Sequence, residues 1–179
     1  MSDSQPLHLF MREWRDLLDR LDAPELRPLA LLDGAAFEDL PVLLEKADLP
    51  HYCLFRGELD PDTAADAPYL VEFNPVDIDP RLFLDPLLEN HGGVFIFAPL
   101  ETTLERLRLH FRRFLQVKLP DGQVVLFRFY DPRVLQLFLP IATEQQRDQM
   151  FGSVHAYAIP SNQGANLSLH RREGEVQRI

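Results

Sequence analysis

The sequence predicts a single domain of the α/β class, in its α+β form, with helices packed on a mixed β-sheet of about five or six strands. Short apolar runs bounded by glycine and proline, which are typical of strands, alternate with segments whose apolar residues recur at helical spacing. The alternation is imperfect, and some neighbouring runs are joined by connections too short for a crossover helix, which favours a mixed sheet over a doubly wound one. The length of 179 residues suits one domain.

The domain is expected to occupy residues 1–160. Hydrophobic residues make up 46% of the chain, the proportion of an ordinary globular protein, so the domain has the material for a core. The segment 161–179 is polar and shows little periodicity after Leu169, so we expect it to form a flexible C-terminal tail.

Helices are predicted where apolar residues are three or four positions apart. In the first helix Trp14, Leu17 and Leu21 continue the face that Leu7 and Phe10 begin. The tripeptide Asp-Pro-Arg occurs twice and suits a helix start, because aspartate caps free backbone N–H groups and proline fits the first helical position. The predicted helices span residues 7–21, 39–46, a short segment after 80, 102–117, 132–139 and 143–151.

Strands are predicted at the apolar runs that separate these helices. They span residues 28–35, 51–56, 69–73, 93–98, 123–130 and 155–159. The acidic stretch at residues 58–67 (ELDPDTAADA) is expected to be a loop.

The net charge of −10 is unevenly distributed along the chain. Residues 1–100 carry 20 Asp and Glu against 7 Lys and Arg, whereas residues 101–179 carry 8 against 11. An acidic chain is unsuited to nucleic acid, because neutralisation of phosphates supplies most of that affinity. Two surfaces of opposite sign would suit a protein that meets two partners, and a chance distribution around an ordinary fold is the alternative.

Several kinds of site are not predicted. Cys53 is the only cysteine, and the six histidines lack the spacing of a metal-binding helix. The chain has neither a Gly-rich phosphate loop nor a Gly-x-Ser-x-Gly elbow. Because no apolar run approaches the roughly 18 residues of a membrane-spanning helix and the N-terminus lacks a secretory signal, we expect a cytoplasmic protein without membrane insertion, metal or cofactor.

The segment 102–139 is the most informative part of the sequence. Its predicted helix turns one apolar face toward the sheet, formed by Leu104, Leu107, Phe111, Phe114 and Leu115. Arg106 and Arg113 lie off that face, and Leu109 is apolar on their side. An exposed leucine among arginines is typical of a protein-binding patch, although single exposed leucines are common. Arg106, Leu109 and Arg113 are therefore the candidate contact residues.

The strand that follows carries one charged residue, Arg128, among apolar ones. Its guanidinium must find a carboxylate or backbone carbonyls, and Asp33 and Asp131 are candidate partners. We favour a structural ion pair between strand and helix, within a framework formed by Asp33, Arg128, Tyr130, Asp131, Pro132 and Arg133. The alternative is an arginine cluster that grips phosphate or carboxylate.

The run LFRFYDPRVL at residues 126–135, preceded by HFRRF at 110–114, resembles the signature of the type VI secretion adaptor family, the Tap/Tec effector chaperones. Weaker matches occur upstream in the expected order, at LLDGA (31–35), LFRG (54–57), APYLV (67–71) and GVF (93–95). The resemblance covers about residues 29–139. Many relatives carry a longer, variable C-terminal part.

The resemblance implies a bacterial cytoplasmic protein that binds a toxic effector and helps to load it onto a VgrG-type spike protein, without catalysis of its own. Two alternatives are kept. An immunity-type protein would bind and silence a toxin, and the acidic N-terminal half would suit a basic nuclease. A hydrolase would need His110, Arg112, Arg128 and Arg133 to converge on an anion in one open cleft.

Overall fold

Nine strands and seven α-helices are found in the part of the chain that the computed structural model describes, residues 5–21, 25–73, 80–161, 166–172 and 176–178. The helices are α1 Gln5–Leu21, α2 Leu40–Lys46, α3 Pro61–Asp66, α4 Pro80–Glu89, α5 Leu104–Phe111, α6 Pro132–Ile141 and α7 Glu144–Phe151. The strands are β1 Leu26–Asp33, β2 His51–Cys53, β3 Pro68–Glu72, β4 Gly93–Pro99, β5 Gln116–Lys118, β6 Val124–Leu126, β7 Ala156–Ser161, β8 Asn166–Arg171 and β9 Val176–Arg178. No described helix combines the length and the apolar character needed to cross a bilayer.

Seven strands form one sheet in the order β2-β3-β1-β4-β7-β8-β9, and β5 and β6 form a separate hairpin. The predicted α+β class is confirmed, but all pairs among the described strands are antiparallel, so the expected mixed sheet is not found there. The reason lies in the connections. Gly93, at the start of β4, lies opposite Leu32 near the end of β1, and Pro68, at the start of β3, lies opposite Asp33. Because a strand that begins beside the end of its neighbour runs antiparallel to it, no crossover connection is required.

Helices cover both faces of this sheet. In β1, Ala30 and Leu32 face the core under α1, α2 and α4, whereas Leu29 and Leu31 face the core under α5, α6 and α7. All four side chains are fully buried. Burial on both sides explains why the strands read as continuous apolar runs instead of the alternating pattern of a half-exposed sheet.

The amphipathic helix predicted at the start of the chain is confirmed as α1. The ring centroid of Trp14 lies 4.8 Å from that of Phe95 and 5.5 Å from that of Phe97, both in β4. Leu17 is fully buried beside them, which contributes about 2 kcal/mol by apolar burial. The side chains of residues 5–11, including Leu7, lie outside the described part of the chain.

The segment expected to be an acidic loop, residues 58–67, contains the helix α3. The Asp60 carboxylate accepts the Thr63 N–H at 3.0 Å, and Pro61 takes the first helical position. The loop prediction was therefore wrong at this point. The signal for a helix was available, since Asp-Pro is the same start that predicts α6.

The helix predicted over residues 102–117 ends earlier, at Phe111. The Arg113 and Phe114 N–H groups bond to carbonyls three residues back, at 3.3 and 3.1 Å, instead of four. This tighter turn ends the α-helix and leads the chain into β5.

The strand predicted over residues 123–130 is also shorter, and it belongs to the hairpin instead of the main sheet. Gly122, with φ of +88°, lies in the turn between β5 and β6. The chain leaves the ladder after Leu126, and the Phe129 ring stacks on that of Phe111 with centroids 5.7 Å apart. Core packing of aromatic rings thus replaces strand pairing after Phe127.

The expectation of a flexible tail is wrong for residues 166–171, which form β8 against β7. Ser161 lies opposite Asn166 and Tyr157 opposite His170. Leu167 is buried in the core, and the polar His170 is buried as well. Polar residues at buried positions concealed this strand. Residues 162–165, 173–175 and 179 lie outside the described part of the chain.

The burial of His170 makes the stability of the fold depend on pH. The side chain is only 5% exposed, and burial, helped by the charge of Arg147, lowers the pKa of His170 from 6.5 to about 4. Above pH 6.5 the imidazole is neutral in both folded and unfolded chains. Between pH 6.5 and 4 only the unfolded chain takes up the proton, so the free energy of unfolding falls with falling pH.

We expect this residue alone to lower the free energy of unfolding by about 2 kcal/mol between pH 6.5 and 5. Urea denaturation at several pH values measures the slope, and the His170→Gln variant should show a shallower one. Part of the slope should persist in the variant, because burial also lowers the pKa of His110 and of His155. An unchanged slope in the variant would contradict the assignment to His170.

Candidate protein-binding site

Helix α5 and the turn that follows it present the three candidate contact residues on one side of the molecule. The Thr103 hydroxyl accepts the Arg106 N–H at 3.2 Å and caps the helix, which fixes its start. Leu107 is fully buried against the sheet, whereas Leu109 is 57% exposed on the other side. Arg106 and Arg113 are exposed as well, as the helical spacing predicts.

The structure brings Arg106, Leu109 and Arg113 together around one concavity of about 410 Å³, here called the contact concavity. The turn that follows α7 forms its opposite wall, with Gly152 and Ser153. His110 completes the lining, and no carboxylate is among the lining residues. The concavity therefore combines two guanidinium groups with one exposed aliphatic side chain.

His110 is a neutral part of this surface. Its Nε2 lies 2.9 Å from the Met150 carbonyl oxygen, to which it must donate, and its Nδ1 lies 3.0 Å from Nη2 of Arg113, from which it accepts. The tautomer with the proton on Nε2 follows from these two contacts. Burial, followed by the charge of Arg113, lowers the pKa of His110, so the positive charge of the concavity belongs to the arginines.

Gly152 allows the two walls to approach each other. A Cβ at this position would lie 2.4 Å from Cε1 of His110, and its φ of +52° falls in the region that favours glycine. The sequence analysis did not select Gly152 or Ser153 for the site. The available signal was a glycine directly after a helical pattern, which indicates a helix end.

The Asp131-Pro132-Arg133 segment begins α6 as the sequence predicts. The buried Asp131 carboxylate accepts the Arg133 backbone N–H at 2.9 Å and the Arg133 guanidinium at 3.0 and 2.7 Å. Pro132 takes the first helical position. Burial acts to raise the pKa of Asp131, but the hydrogen bonds and charge of Arg133 outweigh it, and the pKa lies below its usual value.

Arg128 donates to the buried Asp33 carboxylate, the first of the two partners considered from the sequence. The pair joins the end of β1 to the segment between β6 and α6. The Arg128 guanidinium also lies 5.8 Å from the centroid of the Tyr130 ring. Burial, followed by the Asp33 charge, raises the pKa of Tyr130 to about 12.

The four residues that a hydrolase would need do not converge on one cleft. Arg128 forms an ion pair with Asp33, and Arg133 forms one with Asp131, the residue that caps α6. Arg112 donates to the carbonyl oxygens of residues 53, 54 and 55, at 3.1, 3.0 and 2.6 Å. Of the four, only His110 lines the contact concavity.

A second concavity, of about 590 Å³, lies beside the β5–β6 hairpin and is here called the hairpin groove. Its lining residues are Phe55, Arg56, Leu59, Arg112, Arg113, Leu115, Gln116 and Leu126. Arg113 lines both concavities. The sequence analysis missed this groove because it placed residues 123–130 in the main sheet, where Leu126 would not reach such a surface.

Comparison with known proteins gives a match to a family model. A family model described as "Domain of unknown function (DUF4123)" matches residues 29–149, about two thirds of the chain. No curated protein and no solved structure matches the chain significantly. The matched range includes most of β1, the hairpin, α5 and α6, and therefore both the Asp33–Arg128 pair and most of the residues that line the contact concavity.

Proposed function

Because the chain belongs to the DUF4123 family, which is associated with type VI secretion adaptors, we propose that it is a cytoplasmic adaptor for a secreted effector. In this role it binds the effector and a VgrG-type spike protein and helps to load the one onto the other. It performs no catalysis and needs no cofactor. The run LFRFYDPRVL at residues 126–135 supports the same proposal at the level of sequence.

The contact concavity is the observation that carries this proposal to particular residues. Within the described part of the chain no hydrogen bond or ion pair engages the Arg106 guanidinium, so the fold does not require its charge. Leu109 is exposed in the same concavity. Arginine is enriched at protein–protein interfaces, and an aliphatic side chain beside it gains from being covered.

Replacing the positive and aliphatic side chains of this surface with acidic ones should weaken partner capture without unfolding the protein. We expect the double variant Arg106→Glu, Leu109→Asp to retain at most about one tenth of the effector and spike captured by the wild type, a change of about 1.4 kcal/mol or more. Tagged protein is incubated with lysate of a bacterium that expresses the secretion system, and the retained proteins are quantified by mass spectrometry. The Tm of the variant should stay within about 3 °C of the wild type, because both side chains are on the surface.

A matched control separates this site from the general effect of a surface charge. Leu100 is 58% exposed, close to the 57% of Leu109, and lies outside both concavities, so Leu100→Asp should leave capture unchanged. Normal capture by the Arg106, Leu109 variant would refute the site. Retention of a toxin alone by the wild type, with no spike protein, would favour the immunity reading over the adaptor.

A further inference from the structure

The β5–β6 hairpin has an outer edge whose backbone groups are unpaired. Leu119 N–H bonds to the Gln123 carbonyl and Phe127 N–H to the Leu115 carbonyl, both at 2.8 Å. In an antiparallel ladder, bonded and non-bonded residue pairs alternate, so the N–H and C=O groups of Val124 and Leu126 point away from β5. No described strand pairs with this edge of β6.

The two edges of the hairpin differ in chemistry. The outward-pointing backbone groups of β5 belong to Gln116 and Lys118, and a lysine on an edge discourages further strand pairing. The corresponding residues of β6 are aliphatic and accessible, with Val124 61% exposed and Leu126 47% exposed. An aliphatic, exposed edge is a template for an additional strand.

A side chain occupies backbone acceptors at the end of β2, an edge strand of the main sheet. Arg112 donates to the carbonyl oxygen of Cys53, the last residue of β2, and to those of Leu54 and Phe55, which follow it. Among the described residues no side chain does the same for β6. The edge of β6 therefore differs from the end of β2, where a side chain already occupies a backbone acceptor.

The hairpin groove adjoins this edge through Leu126. Leu115 and Leu59 add aliphatic surface, whereas Arg56 and Arg113 add positive charge. No carboxylate is among the residues that line the groove. Because every second side chain of a strand points to the same face, a segment paired with β6 would set an aliphatic side chain beside Leu126, and the positive charge of the groove suits an acidic residue in the same segment.

We infer that the outer edge of β6 and the hairpin groove bind an extended, aliphatic segment of a partner protein that carries an acidic residue, by strand addition. The inference rests on the proposed adaptor function, since it names the kind of segment that a protein partner would present. It uses a surface apart from Arg106 and Leu109, although Arg113 borders both.

Amide hydrogen exchange measured by NMR on the full chain tests the inference. The probe is the synthetic peptide acetyl-Thr-Val-Thr-Val-Thr-Glu-Thr-amide at millimolar concentration. The outward amides of Val124 and Leu126 should exchange quickly in the free protein and at least about tenfold more slowly with the peptide. The inward amide of Phe127, bonded to Leu115 in both states, is the internal control. A peptide with lysine in place of glutamate should protect less.

Two substitutions at one position separate backbone pairing from side-chain contact. Val124→Pro removes an outward N–H that the hairpin does not use, and proline is tolerated on edge strands. We expect Val124→Pro to weaken peptide binding by about tenfold and Val124→Ala by only about threefold. Equal losses in the two variants would overturn strand addition, as would the absence of amide protection in the wild type.

A second copy of the chain is the other candidate occupant of this edge. If the amides of Val124 and Leu126 become protected with increasing protein concentration in the absence of peptide, the edge serves self-association and the inference fails. Capture of effector and spike without any peptide protection would overturn this inference alone. If the wild-type protein captured neither effector nor spike protein, the adaptor proposal would be overturned, whether or not the peptide protects the two amides.

Discussion

Replacing Gly34 with alanine is expected to lower the free energy of unfolding by about 3 kcal/mol, the upper end of the usual range for overpacked sites. A Cβ at this position would lie 2.1 Å from the Ala65 carbonyl oxygen and 2.6 Å from that of Ala67. Both contacts are with backbone atoms, which cannot rotate away as a side chain can. The Gly34 N–H also bonds to the Ala67 oxygen at 3.0 Å, so separating the segments would break this link.

Chemical denaturation of the Gly34→Ala variant measures this effect, and Gly57→Ala provides the comparison. Gly57 has φ of +82° but nothing within 4 Å of its Cβ position, so its variant carries backbone strain without a clash. We expect about 1 kcal/mol for that strain alone. If Gly34→Ala cost no more than Gly57→Ala, the close approach of α3 to the end of β1 would not be a rigid feature of the fold.

The close approach at Gly34 has a consequence for the neighbouring Asp33. Asp33 N–H bonds to the Gly92 carbonyl at 2.8 Å, and the residue lies opposite Pro68 in the sheet. These contacts fix the carboxylate where Arg128 reaches it. The short run LLDGA is therefore explained by two requirements at adjacent positions, an acceptor for Arg128 and a residue without a Cβ.

Much of the fold could be predicted because local signals and tertiary structure agree. The strands β1, β3 and β4 are buried on both faces, so they appear in the sequence as continuous apolar runs. The start of α6 combines an aspartate cap with proline at the first position, and both effects act within one helical turn. Predictions of this kind need no knowledge of distant residues.

The remaining features depend on contacts between distant segments. Apolar spacing from residue 102 to 117 fits a long helix, but packing of Phe114 and Phe129, with ring centroids 6.3 Å apart, accompanies an early turn into the hairpin. His110, which lines the contact concavity, is held by a hydrogen bond to the carbonyl oxygen of Met150, 40 residues away in the sequence. Local periodicity predicts Arg106 and Leu109 on an exposed face, but it carries no information about the wall opposite them.

Replacing Asp131 with alanine should lower the free energy of unfolding by about 3 kcal/mol, since it removes a helix cap worth about 1 kcal/mol together with charged hydrogen bonds worth about 2. Asp131 is buried, and its two oxygens receive one backbone N–H and two guanidinium donors from Arg133. Thermal and urea denaturation measure the loss. Asp131→Asn should cost less, because the amide oxygen still caps α6.

The pH dependence of this difference provides a second test. The pKa of Asp131 is lowered in the folded chain, so the carboxylate contributes its full stability above its usual pKa of 3.8 and loses it as the pH falls through the folded value. The gap in stability between wild type and Asp131→Asn should therefore narrow at acidic pH. The difference in stability between wild type and Arg133→Gln should narrow at acidic pH in the same way, because this variant removes the exposed partner of the same ion pair. If the difference in free energy of unfolding between wild type and Asp131→Asn stayed constant down to the lowest pH at which the protein is folded, Asp131 would act only as a helix cap. Arg133 would then have a role other than holding the framework together.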